Sequence, residues 1–306
     1  MRVSDMMLYD RAQIDGGANR SRLDEATARA STGVRVAHPG DDPAAAGQVV
    51  LEQSRMQQLD ALATSTGRAA DEITAADGAL NDVSTALSRA NELAVQLSSS
   101  PYDAAQRAAG AQEVQGLIST IVASLDTKVG NRYVFGGTQD STQPFDGLVL
   151  DAAGNVDTAA TGVYRGAADV RQVEIAPGIL QDASVRADVA LRGAGGGVDV
   201  IATLSNLANA LAANDPTAAA ATVSQIAQGI TQVSTARAQS GAIVNALDSA
   251  TSANQAARDD AKKRVSGLAD ADEIQAASDL ALAQHALDTS LTAIAQSFKF
   301  SLLDKL

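Results

Sequence analysis

Between Leu59 and Leu97 the apolar and small positions recur in alternating steps of three and four: Leu59, Leu62, Thr66, Ala69, Ile73, Ala76, Leu80, Val83, Leu87, Ala90, Ala94 and Leu97. A mean repeat of 3.5 keeps one helix face against a partner over many turns, so the pattern predicts a coiled-coil seam. Asp42-Pro43 supplies its start, with the carboxylate accepting an orphan N–H and proline filling a first-turn position that needs none. Ser98-Ser99-Ser100-Pro101 ends it. At 1.5 Å per residue the helix reaches roughly 85 Å, weakened but not broken by Gly67 and Gly78.

A return helix opens at Asp103, spaced to Gln106 as a capping box, and carries Val114, Ile118, Ile121 and Leu125 on one face. After Gly130 the texture changes. Tyr133-Val134-Phe135, Leu148-Val149-Leu150, Val163-Tyr164 and Val173-Glu174-Ile175 are short β-like runs separated by Gly136-Gly137, Asp146-Gly147 and Pro177-Gly178. Gly193–Gly197 lacks the lysine of a P-loop and the last glycine of a dinucleotide fingerprint, which leaves a flexible junction. Helix resumes over 198–213, breaks at Asn214-Asp215-Pro216, and restarts with Val223, Ile226, Ile230, Val233, Val244, Leu247, Ala261, Val265 and Leu268 in approximate register. Arg237, Ser240, Thr251, Asn254 and Arg258 fall on that seam and predict a wetter contact in its middle.

Asp270-Ala271-Asp272-Glu273 places a cap at Asp270 with its reciprocal acid three residues on, so a last helix begins there. Its rows are Leu280, Leu287 and Ile294, with Leu291 and Phe298 beside them, each spaced by sevens. The N-terminal segment, with Val3, Met6, Met7, Ile14 and Leu23, is the intrachain candidate to cover that stripe. The fold expected is therefore mainly α with an inserted β-rich domain, its long antiparallel helical, coiled-coil bundle formed by the N- and C-terminal segments. The expected divisions are an assembly segment over 1–42, a long helix and return helix over 43–130, and a β-rich exposed domain over 131–192. A junction with returning helices over 193–268 and an assembly helix over 269–306 complete them. Candidate packing and assembly positions are Leu59, Leu62, Ile73, Leu80, Val83, Leu87, Leu97, Leu280, Leu287, Leu291, Ile294 and Phe298. Alanine-rich seams bury little area and short helices nucleate poorly, so terminal segments loose in one copy and ordered by neighbouring copies are expected.

Composition narrows the chemistry. Hydrophobic residues make up 45% of the 306 positions but aromatics only 3%, so the core is built from small and aliphatic side chains. A net charge of −13 argues against nucleic acid or an anionic membrane as partner, and no run is long and apolar enough to insert in one. Without cysteine, disulfides, thiolate metal sites and cysteine nucleophiles are excluded. The N-terminal residues lack a secretory signal pattern, which suits a cytoplasmic protein or one exported without cleavage. The two histidines, His38 and His285, show no HExxH or paired spacing. Asp41-Asp42 and Asp259-Asp260 read as caps and solvated faces rather than cation ligands. Accordingly no catalytic residue, metal ligand or cofactor is expected.

Several phrases resemble the flagellin superfamily: Arg22-Leu23, Ser31-Thr32-Gly33-Val34-Arg35-Val36, Asp41-Asp42-Pro43-Ala44-Ala45-Ala46-Gly47, Asp77–Val83, Arg89–Gln96 and Leu268–Asp272. Within it, Asn131-Arg132-Tyr133-Val134-Phe135-Gly136-Gly137-Thr138 and the ending Ser301–Leu306 resemble the hook-associated type 3 branch at the hook–filament junction more than filament flagellins. The likeness covers roughly residues 1–138 and 225–306. It implies a secreted structural subunit of the bacterial flagellum, exported by the type III route with a chaperone. It further implies a ring of copies between the other hook-associated junction protein and the first flagellins. The alternatives are a short filament flagellin and, from another class, a cytoplasmic coiled-coil scaffold.

Overall fold

A computed structural model describes the backbone of residues 2–99 and 101–303, and the side chains of Met7 and of residues 10–99 and 101–296. Seven helices and four strands follow in order among the described residues: α1 Arg2–Thr32, α2 Pro43–Leu97, α3 Ala104–Leu125, β1 Lys128–Val129, β2 Arg132–Tyr133, β3 Gln172–Ala176, β4 Ile179–Asp182, α4 Ala187–Leu191, α5 Val200–Ala212, α6 Pro216–Ala269 and α7 Glu273–Leu303. The protein is mainly α with two small antiparallel hairpins, β1–β2 and β3–β4. It divides into two compact units, one from Leu59 to Ala256 and one made of the residues up to Gln58 and from Ala257 onward.

The first unit holds the large core. Leu80, Val83 and Leu87 of α2 meet Val114, Ile118, Ile121 and Leu125 of α3, Leu204, Leu207 and Leu211 of α5, and Ile226 and Val233 of α6 in one continuous buried cluster. Each fully buried aliphatic side chain contributes about 1.5–3 kcal/mol. Local chemistry sets the helix ends. The Asp103 carboxylate accepts from the Gln106 N–H at 2.8 Å while the Gln106 amide accepts from the Asp103 N–H at 2.9 Å, which is the capping box expected there. Asp199 caps α5 through the Ala202 N–H, and Asp215 caps α6 through Thr217 and Ala218.

One buried cation closes this core. Arg107 donates to the carbonyls of Leu97 and Ser99 at 2.9 and 3.1 Å and to the Asn214 side-chain oxygen at 2.7 Å. The carbonyl end of α2 and the side chain just beyond α5 thus converge on one guanidinium, near helix C-termini whose dipoles favour positive charge. Asn214 sits at φ 56°, a left-handed position that a short amide side chain tolerates.

The segment between α3 and α4 carries less strand than its β-like runs suggest. Leu148–Leu150 and Val163–Tyr164 form only isolated bridges, Leu150 with Val156 and Phe145 with Tyr164. A side chain replaces a strand partner here: the Thr161 hydroxyl accepts from the Val149 N–H at 3.0 Å and lies 3.1 Å from its carbonyl. A four-charge network fastens this segment to α2. Glu72 pairs with Arg171 and lies 3.7 Å from Arg132, and Asp140 pairs with Arg132 at 2.5 Å and with Arg171 at 3.6 Å.

The polar stretch on α6 is drier than its sequence predicts. Ser240 is fully buried and donates to its own helix at Ala236, and Arg237 pairs with Asp77. Asn254 donates to the Ile175 carbonyl at 2.9 Å, so the β3–β4 hairpin lies where the coiled-coil seam loses its apolar residues. Ala69, Leu247 and Ala183 form a small second core beneath Val173 and Ile175.

In the second unit α1 and α7 pack as an antiparallel pair: the Ala271 N–H donates to Gly33 O at 2.8 Å, and the Ile294 side chain lies beside Gly16. Among the described residues, every buried side chain of this unit is an alanine: Ala26, Ala45, Ala261, Ala269 and Ala276. The last helix is capped by Asp272, whose carboxylate accepts from Ile274 and Gln275, and not by Asp270, whose carboxylate takes the Ser266 hydroxyl instead.

Candidate assembly surfaces

The closed end of the α1–α7 pair is built by residues 33–45. Gly33 ends α1 at φ 68°, its N–H donating to Arg29 O at 3.0 Å in the left-handed geometry that a glycine adopts without penalty. The chain then turns so that Arg35 grips the end of α6. Its backbone N–H donates to Ala269 O at 2.6 Å and its guanidinium to Leu268 O at 2.7 Å, while the same side chain pairs with Asp42 at 3.2 Å. Asp41 accepts the N–H groups of Ala37 and His38, and Asp42 caps α2 through Ala45. The backbone N–H of His38 holds Asp41 below the usual carboxylate range, and the Ala45 N–H followed by Arg35 does the same for Asp42. Further along, Arg264 holds Glu52 in a two-pronged pair at 2.9 and 3.2 Å and lowers its pKa.

The candidate positions separate by burial. Leu59, Leu62, Ile73, Leu80, Val83, Leu87 and Leu97 are all buried inside the protomer, so this stripe is consumed by intrachain packing. Leu280, Leu287 and Ile294 are half-buried on the α7 side that meets α1. Leu291 is 53% exposed, and the Phe298 side chain lies outside the described residues. Beyond the seam, α7 turns Ile274 and Leu282 outward, α1 turns Met7 and Ile14 outward, and the start of α2 exposes Val50 and Leu51. Leu282 was hidden from a seam reading because it lies two residues from Leu280, off the heptad row. The other unit exposes Val95, Val149, Leu150, Ile179 and Leu180.

The phrase at residues 131–138 acts differently. Arg132 joins the Glu72 network, the Lys128 ammonium sits 4.2 Å over the Tyr133 ring, and Phe135 is fully buried. Gly137 lies at φ 63° with room for no side chain, since a Cβ there would meet Ala167 O at 2.5 Å. The Tyr164 hydroxyl lies 3.0 Å from Phe135 O and 2.9 Å from Ala167 O, and burial pushes its pKa up to about 12. This motif therefore locks the inserted segment's own fold.

His38 is exposed, 3.9 Å from the Asp41 carboxylate, and His285 shares a contact with Thr289 within α7. Among the described residues no three His, Asp or Glu side chains converge as a metal site, and no helix is long and apolar enough to cross a membrane.

Residues 3–140 match the family model of the bacterial flagellin N-terminal helical region. Flagellar hook-associated protein 3 of Escherichia coli K12 is 33% identical over 147 residues, covering 47% of this chain and 46% of that protein. The protein of the same name from Salmonella typhimurium is 28% identical over 167 residues, covering 54% and 49%. The chain thus matches about half the length of these curated relatives. The crystal structure of flagellar hook-associated protein-3 from Legionella pneumophila shares the fold, with a TM-score of 0.60 at 15% identity over 72% of this chain and 98% of that one.

Proposed function

We propose that the chain is a flagellin-like structural subunit of the bacterial flagellum, joining hook to filament by self-assembly, a reading supported by its likeness to the flagellin N-terminal helical region and to the two hook-associated proteins 3. One observation carries the reading: among the described residues the terminal helices α1 and α7 bury only alanine and leave Met7, Ile14, Ile274, Leu282 and Leu291 exposed. A surface of that kind gains its apolar burial from neighbouring copies. In this role the chain turns over no substrate. It sits in a ring of its own copies at the hook–filament junction, between the other hook-associated junction protein and the first flagellins, with Leu280, Leu287, Leu291, Ile294 and Phe298 in the assembling stripe. Export without cleavage and escort by a chaperone belong to the same proposal.

A short filament flagellin is the second reading, favoured by the match of residues 3–140 to the flagellin helical region. Deleting the gene separates the two. Hooks left bare while flagellin escapes into the medium support the junction role. Filaments that persist, or a capped junction awaiting another flagellin, support the filament role and sink the first.

A further inference from the structure

We propose that Val50 and Leu51, at the start of α2, are the knobs by which one copy of this chain docks into the trough between α1 and α7 of the next, with Arg55 meeting Asp279. The proposal rests on the reading of the chain as a self-assembling subunit and names the faces that meet. The trough is floored by alanine. Ala26 and Ala276 are buried there, Ala283 is half-buried, and Leu282 borders it with 65% of its surface open. Its volume is about 330 Å³. An apolar space of about 150 Å³ already holds a benzene, so two aliphatic side chains fit.

The rim carries both signs of charge, but its bases are engaged and its acids are not. Arg22 donates to the Asn19 side chain at 3.4 Å, and Arg29 adds to the stronger effect of the His38 N–H in lowering the pKa of Asp41. Among the described residues neither Glu25 nor Asp279, on the same rim, forms an ion pair.

Charge selects the occupant, because residues three and four positions apart share one face of a helix. Among the other exposed apolar side chains of the helices, Val95 has Glu92 at that spacing, Leu282 has Asp279 and Leu291 has Asp288. Met7 and Ile14 have Asp10 as well as Arg11, and Ile274 follows Glu273 directly. Each of these brings an acid to an acidic rim. Val50 and Leu51, 63% and 71% exposed, have Ala46, Gly47, Gln48, Gln53, Ser54 and Arg55 at those spacings and no acid. Glu52, between them and Arg55, is half-buried and already held by Arg264. Arg55 is therefore the charge this face presents, one turn beyond Leu51. At Gly47 a Cβ would meet nothing within 4 Å, so α2 offers bare backbone beside Leu51 for close approach of another helix. Knobs and trough belong to different elements of one unit, so each copy gives one contact and takes one. Such a heterologous contact repeats by rotation, without a two-fold axis, as a ring requires.

Because native cysteine is absent, single substitutions report the contact on the purified full chain. Under mild oxidation a mixture of Leu51→Cys and Ala283→Cys chains gives a disulfide heterodimer, whereas each alone stays monomeric. One chain carrying both substitutions gives a ladder of dimers, trimers and larger multimers. Arg55→Asp in the first chain slows the heterodimer roughly threefold, and Asp279→Arg in the second restores it. Both side chains are exposed, so the melting curves stay those of the parent. Cross-linking of the mixture no faster than of either chain alone overturns the proposal, as does a rate indifferent to Arg55→Asp or a defect that Asp279→Arg leaves unrepaired. The gene deletion judges the junction role separately: a doubly substituted chain that restores filaments without forming the ladder sinks the docking and leaves that role standing.

Discussion

The same heptad signal has two outcomes in this molecule. On α2, Leu80, Val83 and Leu87 are completely covered, because α3, α5 and α6 contribute aliphatic side chains to the same cluster. On α7, Leu280, Leu287 and Leu291 follow an equally regular spacing but remain half-buried or exposed. The helix facing them, α1, offers Gly16 and Ala26 where α3 offers Val114 and Ile118. Periodicity identifies the face a helix hides; how much is hidden depends on what stands opposite.

The largest expected effect tests the full side of this contrast. Leu80→Ala empties a site with no exposed surface and is expected to cost about 3–4 kcal/mol, read by urea or thermal unfolding. Leu291→Ala, on the other seam, is expected to cost less than about 0.5 kcal/mol in the isolated chain while impairing assembly. Equal losses at the two sites would abolish the distinction. Next, Arg107→Leu strands the buried Leu97 carbonyl and removes the bonds to Ser99 and Asn214, and a loss of about 2 kcal/mol is expected in the same measurement.

A smaller effect sharpens the comparison through pH. Burial raises the pKa of Asp126, with the Gln143 amide opposing, and this carboxylate sits at the C-cap of α3, where negative charge is also disfavoured. Its ionised form therefore costs stability at neutral pH, and the cost disappears as pH falls through its raised native pKa toward the ordinary range. Asp126→Asn is expected to stabilise by about 0.5 kcal/mol at pH 7, discounted for solvent screening, and by nothing below pH about 3.9. Asp41 and Asp42 behave oppositely: their native pKa values are lowered, so what they contribute holds above the ordinary carboxylate range and is lost as pH falls through the lowered values. Melting curves of Asp126→Asn and Asp42→Asn across pH 3–7 are expected to diverge from the parent in opposite senses. Parallel curves would mean that neither environment has been read correctly.

Much of the helical frame was legible because its signals are local. Asp42-Pro43, the Asp103–Gln106 box and the break at Asn214-Asp215-Pro216 each satisfy or withhold a backbone group within a few residues. What escaped reading depends on partners distant in sequence. Asn254 looks like a wet defect until Ile175 is placed beside it, and Leu148–Leu150 looks like a strand until Thr161 takes its backbone bonds. On the assembly side, the stripe of α7 was legible, whereas the exposure of Leu282 and Ile274 was not, since positions off the heptad rows carry no periodic signal of their own.

The grip of Arg35 on Leu268 and Ala269, with Asp42 behind it, anchors one extremity of the α1–α7 pair by directional bonds. Sliding either helix along the other would forfeit these bonds, so the alignment of the pair is settled inside one protomer before a neighbouring copy arrives. An incoming copy therefore meets a stripe whose register is already chosen, and assembly has only to cover it.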